Sequence, residues 1–445
     1  MFNKLKLKSE FSRNVLTLMV GTTIAQAIPI AISPILTRIY RPEDFGMFAL
    51  YMSVASILSV VATGRYELAI MLPKKDEDAI NIVALSIMIS FFVSFITLLI
   101  VFFFNASLTS LLGNPEISSW LYFVPLTVLL TGIYQSFNYW SNRKKEYKRL
   151  ATSRIIQSGT TASSNLGMGF GGFGGAGLIF GTVLGQGVSS FVLGKMILSE
   201  DKNRFGDIKR LKIFALMRRY IKFPKFDIPS AFIYALYSNM AVILFSKFFE
   251  ASISGFYFFA NRILRTPFSF FISAFSDVFY QKLSKTTDFK VISNEITHFS
   301  LKLLKITLIP FLIVVYSSYF YVNPIFGEKW QDLYIYIEIF SMPIYIGLLL
   351  APYGHVLKII NRQEISMYLH FTRLFILGIF FISYFYIEYS LLWFLFLYAL
   401  LDALLHLFLA WSVDSILQNS ERVKMSLGRL GLLFLLGAIN ILIIL

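Results

Sequence analysis

The sequence predicts an all-α polytopic membrane protein, arranged as two six-helix lobes that are parallel repeats around a central cavity. Three observations lead there. Apolar stretches recur along the whole chain, which is 56% hydrophobic and 17% aromatic with 47 Phe, a composition that aggregates in water and belongs in a bilayer. Of the 40 Lys and Arg, 32 fall in alternate gaps: residues 1–13, 73–78, 142–154, 195–225, 282–305, 358–362 and 422–429. The longest polar gap then divides the stretches six and six.

A span needs roughly 20 apolar residues. The first half supplies them at 12–36, 45–72, 79–104, 118–141, 150–170 and 175–197, the second at 226–249, 254–281, 297–322, 333–357, 363–387 and 390–417. A final stretch, 430–445, is short for a span and leaves room for a thirteenth helix that crosses or lies against the bundle. The resulting organisation is an N-terminal lobe (1–198), a basic amphipathic linker (199–225), a C-terminal lobe (226–418) and a hydrophobic C-terminal segment (419–445). Cytoplasmic loops collect basic residues during insertion, so the expected location is a bacterial inner membrane with the N-terminus cytoplasmic. Residues 1–10 resemble the start of a signal peptide, but the apolar segment after them is too long and lacks a small-residue cleavage site, which predicts a retained first helix.

The same distribution accounts for most of the net charge of +15 without nucleic acid or another anionic ligand. In the linker, Ile208, Leu211, Ile213, Phe214, Leu216 and Met217 alternate with Lys209, Arg210, Lys212, Arg218 and Arg219. This predicts a basic amphipathic helix on a leaflet of anionic phospholipids. A shift of 209 residues places Gly46 on Gly255 and Arg38 on Lys247, as expected for two halves in the same orientation. Prolines within the spans, at Pro29, Pro34, Pro125, Pro267, Pro310, Pro343 and Pro352, remove helix hydrogen bonds and favour kinks.

Chemistry is sparse. There is no Cys, hence no disulfide, thiolate metal site or thiol nucleophile. The sequence has no HExxH, Walker A or GxSxG motif and no outward gap long enough for a catalytic domain. No metal site, no catalytic residue and no enzyme activity are expected. The glycine-rich run 167–177 lacks the preceding strand and following Lys-Ser or Lys-Thr of a phosphate loop, and is read as a tight turn with close helix packing.

Four cations lie within the apolar stretches: Arg65, Arg262, Arg265 and Arg373. Each costs about 2.5–3.5 kcal/mol to insert at mid-span, so each needs an acidic partner, water or an anionic ligand. Arg262 and Arg265 are three apart and share a helix face, and guanidinium is the preferred planar clamp for phosphate oxygens. Asp277 or Glu67 could equally pair with them. Arg65 and Glu67, two apart, do not face each other on a helix, which predicts separate partners for each. Asp227, Asn239, His355, His370, Asp402 and His406 are further intramembrane polar residues, with Asp402 and His406 at i, i+4.

Several segments resemble the oligosaccharide and polysaccharide flippases of the multidrug/oligosaccharidyl-lipid/polysaccharide exporter superfamily. They are Leu36–Gly46 (LTRIYRPEDFG), Gly64–Pro73 (GRYELAIMLP), Gly255–Leu264 (GFYFFANRIL) and Phe326–Trp330 (FGEKW). The resemblance extends to about residue 417. It implies two six-helix lobes working by alternating access on undecaprenyl-diphosphate-linked oligosaccharide, for O-antigen, capsule or related surface polysaccharide. It also implies a polysaccharide polymerase and glycosyltransferases as partners. On this reading Arg65, Arg262, Arg265 and Arg38 contact the diphosphate. Glu67, Asp277 and Asp402 tune that charge or couple it to Na⁺, H⁺ or the membrane potential, with no cofactor. The alternatives are a drug or metabolite exporter of the same superfamily, for which acidic cavity residues are expected, and a membrane glycan polymerase or ligase.

Overall fold

The computed structural model describes residues 10–283, 288–360, 362–387 and 390–417. All regular structure among them is helical. The elements are α1 (Glu10–Ala31), α2 (Ser33–Ile39), α3 (Pro42–Ser59), α4 (Asp76–Leu112), α5 (Ser118–Leu121), α6 (Val124–Arg143), α7 (Tyr147–Phe170), α8 (Gly175–Glu200), α9 (Arg210–Arg219) and α10 (Ile228–Phe248). They continue with α11 (Ala251–Leu283), α12 (Phe289–Tyr316), α13 (Ser318–Phe326), α14 (Leu333–Leu349), α15 (Ala351–Ile359), α16 (Gln363–Ser383) and α17 (Leu391–Ile416). Each of the twelve expected stretches is occupied by helix, and the stretch 430–445 lies outside the described residues. Among the described residues, seven spans are long and apolar enough to cross a membrane alone, and an eighth is the pair Pro115–Leu121 and Val124–Arg143, bent by 49°. Among the rest, α7 carries a polar run from Gln157 to Asn165 and α11 carries two Arg, which lowers their apolarity without interrupting the helix.

Two compact units divide the chain, residues 1–255 and 256–445. α10 belongs with the first, where it packs along α3. Bilayer-facing surface is plain on α4, where Phe91, Phe92, Phe95, Phe102, Phe103 and Phe104 are all exposed. The inward faces carry small residues instead, as lipid-embedded helices do where backbones approach closely. A Cβ at Gly181 would overlap Asn165, and one at Gly185 would overlap Thr161, so α7 and α8 meet at backbone distance.

Gaps assigned to one side by their charge meet one another in the first unit. Asp76 pairs with Arg143 (3.0 Å) and Lys144 (2.9 Å), Arg149 with Glu200 and Asp201, and Lys212 with Glu77 (3.0 Å). At the other end the glycine-rich run forms a turn, with Gly172 and Gly174 at φ of 74° and 53°. The Asp44 carboxylate accepts hydrogen bonds from Arg41 N–H (2.8 Å) and Gly175 N–H (2.7 Å). One side chain therefore caps α3 and also neutralises the positive end of α8, the place a phosphate would otherwise take. This agrees with the reading of the run as a turn.

Pro34, Pro125 and Pro352 start helices, where a missing N–H costs nothing, while Pro29, Pro267, Pro310 and Pro343 lie inside them. In the second unit, Trp330 is fully buried between Phe256 (5.6 Å) and Phe259 (4.8 Å), with Phe326 5.3 Å from Phe259. Two segments that carry the family resemblance are thus the two halves of one aromatic cluster.

Candidate functional site

The second apolar stretch, expected as one helix over 45–72, is broken. α3 ends at Ser59, and the chain continues through tight bonds from Val61 N–H to Leu58 O, Gly64 N–H to Val61 O and Tyr66 N–H to Thr63 O. A 3₁₀ turn, Tyr66–Met71, then completes it. Gly64 and Arg65 both have φ of 62°. Glycine takes that conformation freely, whereas Arg65 pays about 1–2 kcal/mol for it. Discontinuous spans of this kind build substrate and ion sites in transporters, because the freed backbone is tolerated only beside a cavity or other protein.

The break reverses one expectation. With two left-handed residues in succession, Arg65 Nη1 stands 3.4 Å from Glu67 Oε1. They form a local pair and do not seek separate partners, since the rule for residues two apart holds only on a continuous helix. Thr63 Oγ1 donates to the other carboxylate oxygen, and Tyr139 and Asp227 lie within electrostatic reach of Glu67. Glu67 is almost fully enclosed, with its side chain 2% exposed, while that of Arg65 is 26% exposed. Arg65 Nε is buried and has no hydrogen-bond partner among the described residues. The guanidinium thus rests on its carboxylate by one edge and keeps donor capacity to spare.

Arg38 does not join this group. It is exposed at the end of α2, and the 18 residues of α3 separate it from the break. At 1.5 Å per residue that is about 27 Å, too far for one diphosphate to touch both.

Arg262 and Arg265 lie in the second unit on one face of α11, Arg262 partly buried and Arg265 exposed. Asp277 falls on the same helix, but its side chain, like that of His355, lies outside the described residues. Arg373 on α16 is joined to Asp402 and His406 on α17. Its Nη2 is 3.3 Å from Asp402 Oδ1 and 2.9 Å from His406 Nε2. Nη2 is also 2.8 Å from His406 Nδ1, which in turn is 2.8 Å from the Asp402 carbonyl, so the guanidinium lies against both ring nitrogens. Gly347 on α14 leaves room for the ring, since a Cβ there would stand 2.8 Å from Nε2. Arg373 is therefore charge-balanced locally by Asp402 within a continuous helix, whereas Arg65 sits in a left-handed backbone conformation. Asn239 makes only a bond to the Ala235 carbonyl one turn back (2.8 Å).

Sequence reasoning missed Glu338. It is the sole acid in the apolar helix α14, and its Oε2 is buried with no hydrogen-bond partner among the described residues. A single carboxylate in an otherwise apolar run was a readable signal. It also missed Asp44, whose role depends on a contact 131 residues away.

The comparisons agree with this architecture. Solved structures similar to the chain include a MATE point mutant (TM-score 0.57, 12% identity, covering 93% of this chain and 98% of that one). A transporter of the MOP superfamily from Pyrococcus furiosus is also similar (0.57, 14%, 91% and 95%); its description notes a binding pocket of reverse polarity. A third is an outward-facing multidrug resistance MATE transporter (0.56, 14%, 91% and 95%). At these identities the likeness is one of fold, the two-lobe fold of that superfamily. No curated protein matches the sequence significantly. A family profile described as "Polysaccharide biosynthesis protein" matches residues 35–335, from the α2 segment through the broken span and α11 to the Trp330 cluster, so the chain belongs to that family of polysaccharide biosynthesis membrane proteins.

Proposed function

We propose that the chain is a flippase, moving undecaprenyl-diphosphate-linked oligosaccharide units from the cytoplasmic to the periplasmic leaflet of a bacterial inner membrane by alternating access. The basic end of the first unit faces the cytoplasm on this reading. Carrying a glycan and a diphosphate through hydrocarbon without help is prohibited by desolvation, so the work needs a hydrated cationic path that is open to one leaflet at a time.

One observation carries the proposal. Arg65 is held in a strained backbone conformation, within a broken span, with a nitrogen left over after its carboxylate is satisfied. Strain and spare donors at one residue suit an anionic ligand better than a structural pair. Arg262 and Arg265 place two guanidinium groups on one helix face of the second unit. Membership of a polysaccharide biosynthesis family supports reading that anion as a sugar-linked diphosphate.

The test is to delete the gene and locate the lipid-linked glycan with a glycan-modifying enzyme that cannot cross the membrane. Accumulation protected on the cytoplasmic side, relieved by re-expression, supports flipping. Unchanged outward exposure together with altered drug sensitivity moves the assignment to an exporter. Arg262→Ala with Arg265→Ala is expected to abolish transport while the protein stays folded in the membrane; normal transport by that variant removes the clamp role from the pair.

A further inference from the structure

The helix α9 has two working faces, and the sequence pattern concealed this by making every apolar residue look equivalent. At 100° per residue, Ile213 and Leu216 point one way while Leu211 and Phe214 point nearly opposite. The structure follows this division. Ile213 and Leu216 are buried in a cluster with Tyr66, Ala69, Ile70 and Ile80. Leu211 is 86% exposed, and Phe214 is exposed as well.

The inner face is fastened at three points, all in the first unit. Asn81 accepts from Lys209 N–H (2.8 Å) and donates to the Asp207 carbonyl (3.0 Å), which fixes the chain as it enters α9. Lys212 pairs with Glu77 at 3.0 Å. The Tyr66 hydroxyl donates to the Met217 carbonyl at 2.9 Å. Tyr66 is the residue directly after Arg65 and opens the 3₁₀ turn that completes the broken span.

The outer face has a different character. Leu211 and Phe214 are flanked by exposed Arg210, Arg218, Arg219 and Lys222, and residues 208–226 contain no acidic side chain. Arg210 lies over the Phe214 ring at 5.9 Å. Apolar side chains among cations, at the end of the unit where the basic gaps converge, complement the headgroup region of an anionic leaflet.

We infer that α9 docks by its Leu211 and Phe214 face on anionic phospholipid, and by its Ile213 and Leu216 face clamps the turn that follows Arg65. Surface charge of the leaflet is thereby connected to the order of the broken span. The inference concerns a lipid surface and does not depend on which substrate the protein carries.

The chain has no native Cys, so single-cysteine labelling needs no background removal. Leu211→Cys and Ile213→Cys would each carry an environment-sensitive fluorophore, with the full-length protein in vesicles of zwitterionic lipid, or of zwitterionic lipid containing about one-third phosphatidylglycerol. The expected result is a blue-shifted label at 211, quenched by nitroxide lipids several-fold more with the anionic lipid, and reversed by Arg218→Gln with Arg219→Gln. Hydrogen exchange in residues 60–71 is expected to slow in the same vesicles. A label at 211 quenched equally by aqueous iodide in both lipids overturns the docking, as does quenching by nitroxide lipids that is indifferent to lipid charge. Docking with unchanged exchange at 60–71 overturns the clamp.

Discussion

Replacing Gly255 by Ala isolates a helix contact in the first unit in which backbone meets backbone. A Cβ at Gly255 would overlap the Pro42 carbonyl oxygen and stand 2.8 Å from its carbon, and one at Gly46 would overlap the Ala251 carbonyl oxygen, 2.7 Å from its carbon. The obstacle in both cases is backbone, so no rotamer change relieves it. Opposing terms decide the sign. Ala in place of Gly gains about 1 kcal/mol of helix propensity, whereas forcing a methyl into a packed contact costs typically 1–3 kcal/mol, with rigid carbonyls at the upper end. Gly159 on α7 supplies the control, because nothing lies within 4 Å of a Cβ built there. Thermal unfolding of detergent-purified protein, followed by intrinsic tryptophan fluorescence, should therefore place Gly159→Ala at or above the parent and Gly255→Ala below it. Gly46→Ala with Gly255→Ala should lose less than the sum of the single losses, since one separation of α3 from α11 admits both methyls. A Gly255→Ala midpoint equal to that of Gly159→Ala would refute the reasoning.

Other outcomes follow from the charged groups. Arg65→Gly relieves about 1–2 kcal/mol of backbone strain yet leaves Glu67 enclosed without its cation, which costs more; the variant should be less stable than the parent, and adding Glu67→Gln should restore stability without restoring transport. Asp44→Ala removes acceptors for Arg41 N–H and Gly175 N–H and should lower stability by about 1–2 kcal/mol; Asp44→Asn should lose less, as measured by the same unfolding midpoint. The Lys144 ammonium, with Arg143, holds the Asp76 carboxyl below its usual range. A depressed carboxylate stabilises the fold above its unfolded value of roughly 3.9 and loses that contribution as pH falls through the lower folded value. Asp76→Asn should thus narrow the stability difference between neutral pH and pH about 3, and an unchanged acid limb would argue against the pairing.

Much of the architecture was legible because bilayer thickness and insertion charge leave periodic marks on a sequence. The gaps at 73–78, 142–154 and 195–225 were assigned to one side from Lys and Arg alone, and residues of these gaps pair with one another in the first unit. Gly46 and Gly255, 209 residues apart, also meet reciprocally within the first unit: each glycine lies against the residue four positions before the other, Ala251 and Pro42 respectively. The broken span was not legible, because Ser, Thr and Gly near the end of an apolar run fit a continuous helix as well as a turn. Pairwise rules for helices then misplaced Arg65 relative to Glu67. The two faces of α9 escaped for a related reason: alternation in the sequence reports that apolar residues exist, while the direction of each depends on a rotation of 100° per residue.

The arginines within the membrane stretches therefore do not form one class. Arg373 has the Asp402 carboxylate and the His406 ring beside its guanidinium, and its cost of insertion is met within the second unit. Arg65 has one carboxylate at 3.4 Å and a left-handed backbone. A residue that served only to balance Glu67 would be better placed one helical turn away, with no backbone strain. Holding it in the left-handed conformation is costly, and the local structure does not recover that cost through the hydrogen bonds it makes. That strained backbone distinguishes Arg65 from Arg373, which lies in a continuous helix, more clearly than depth in the membrane or charge alone.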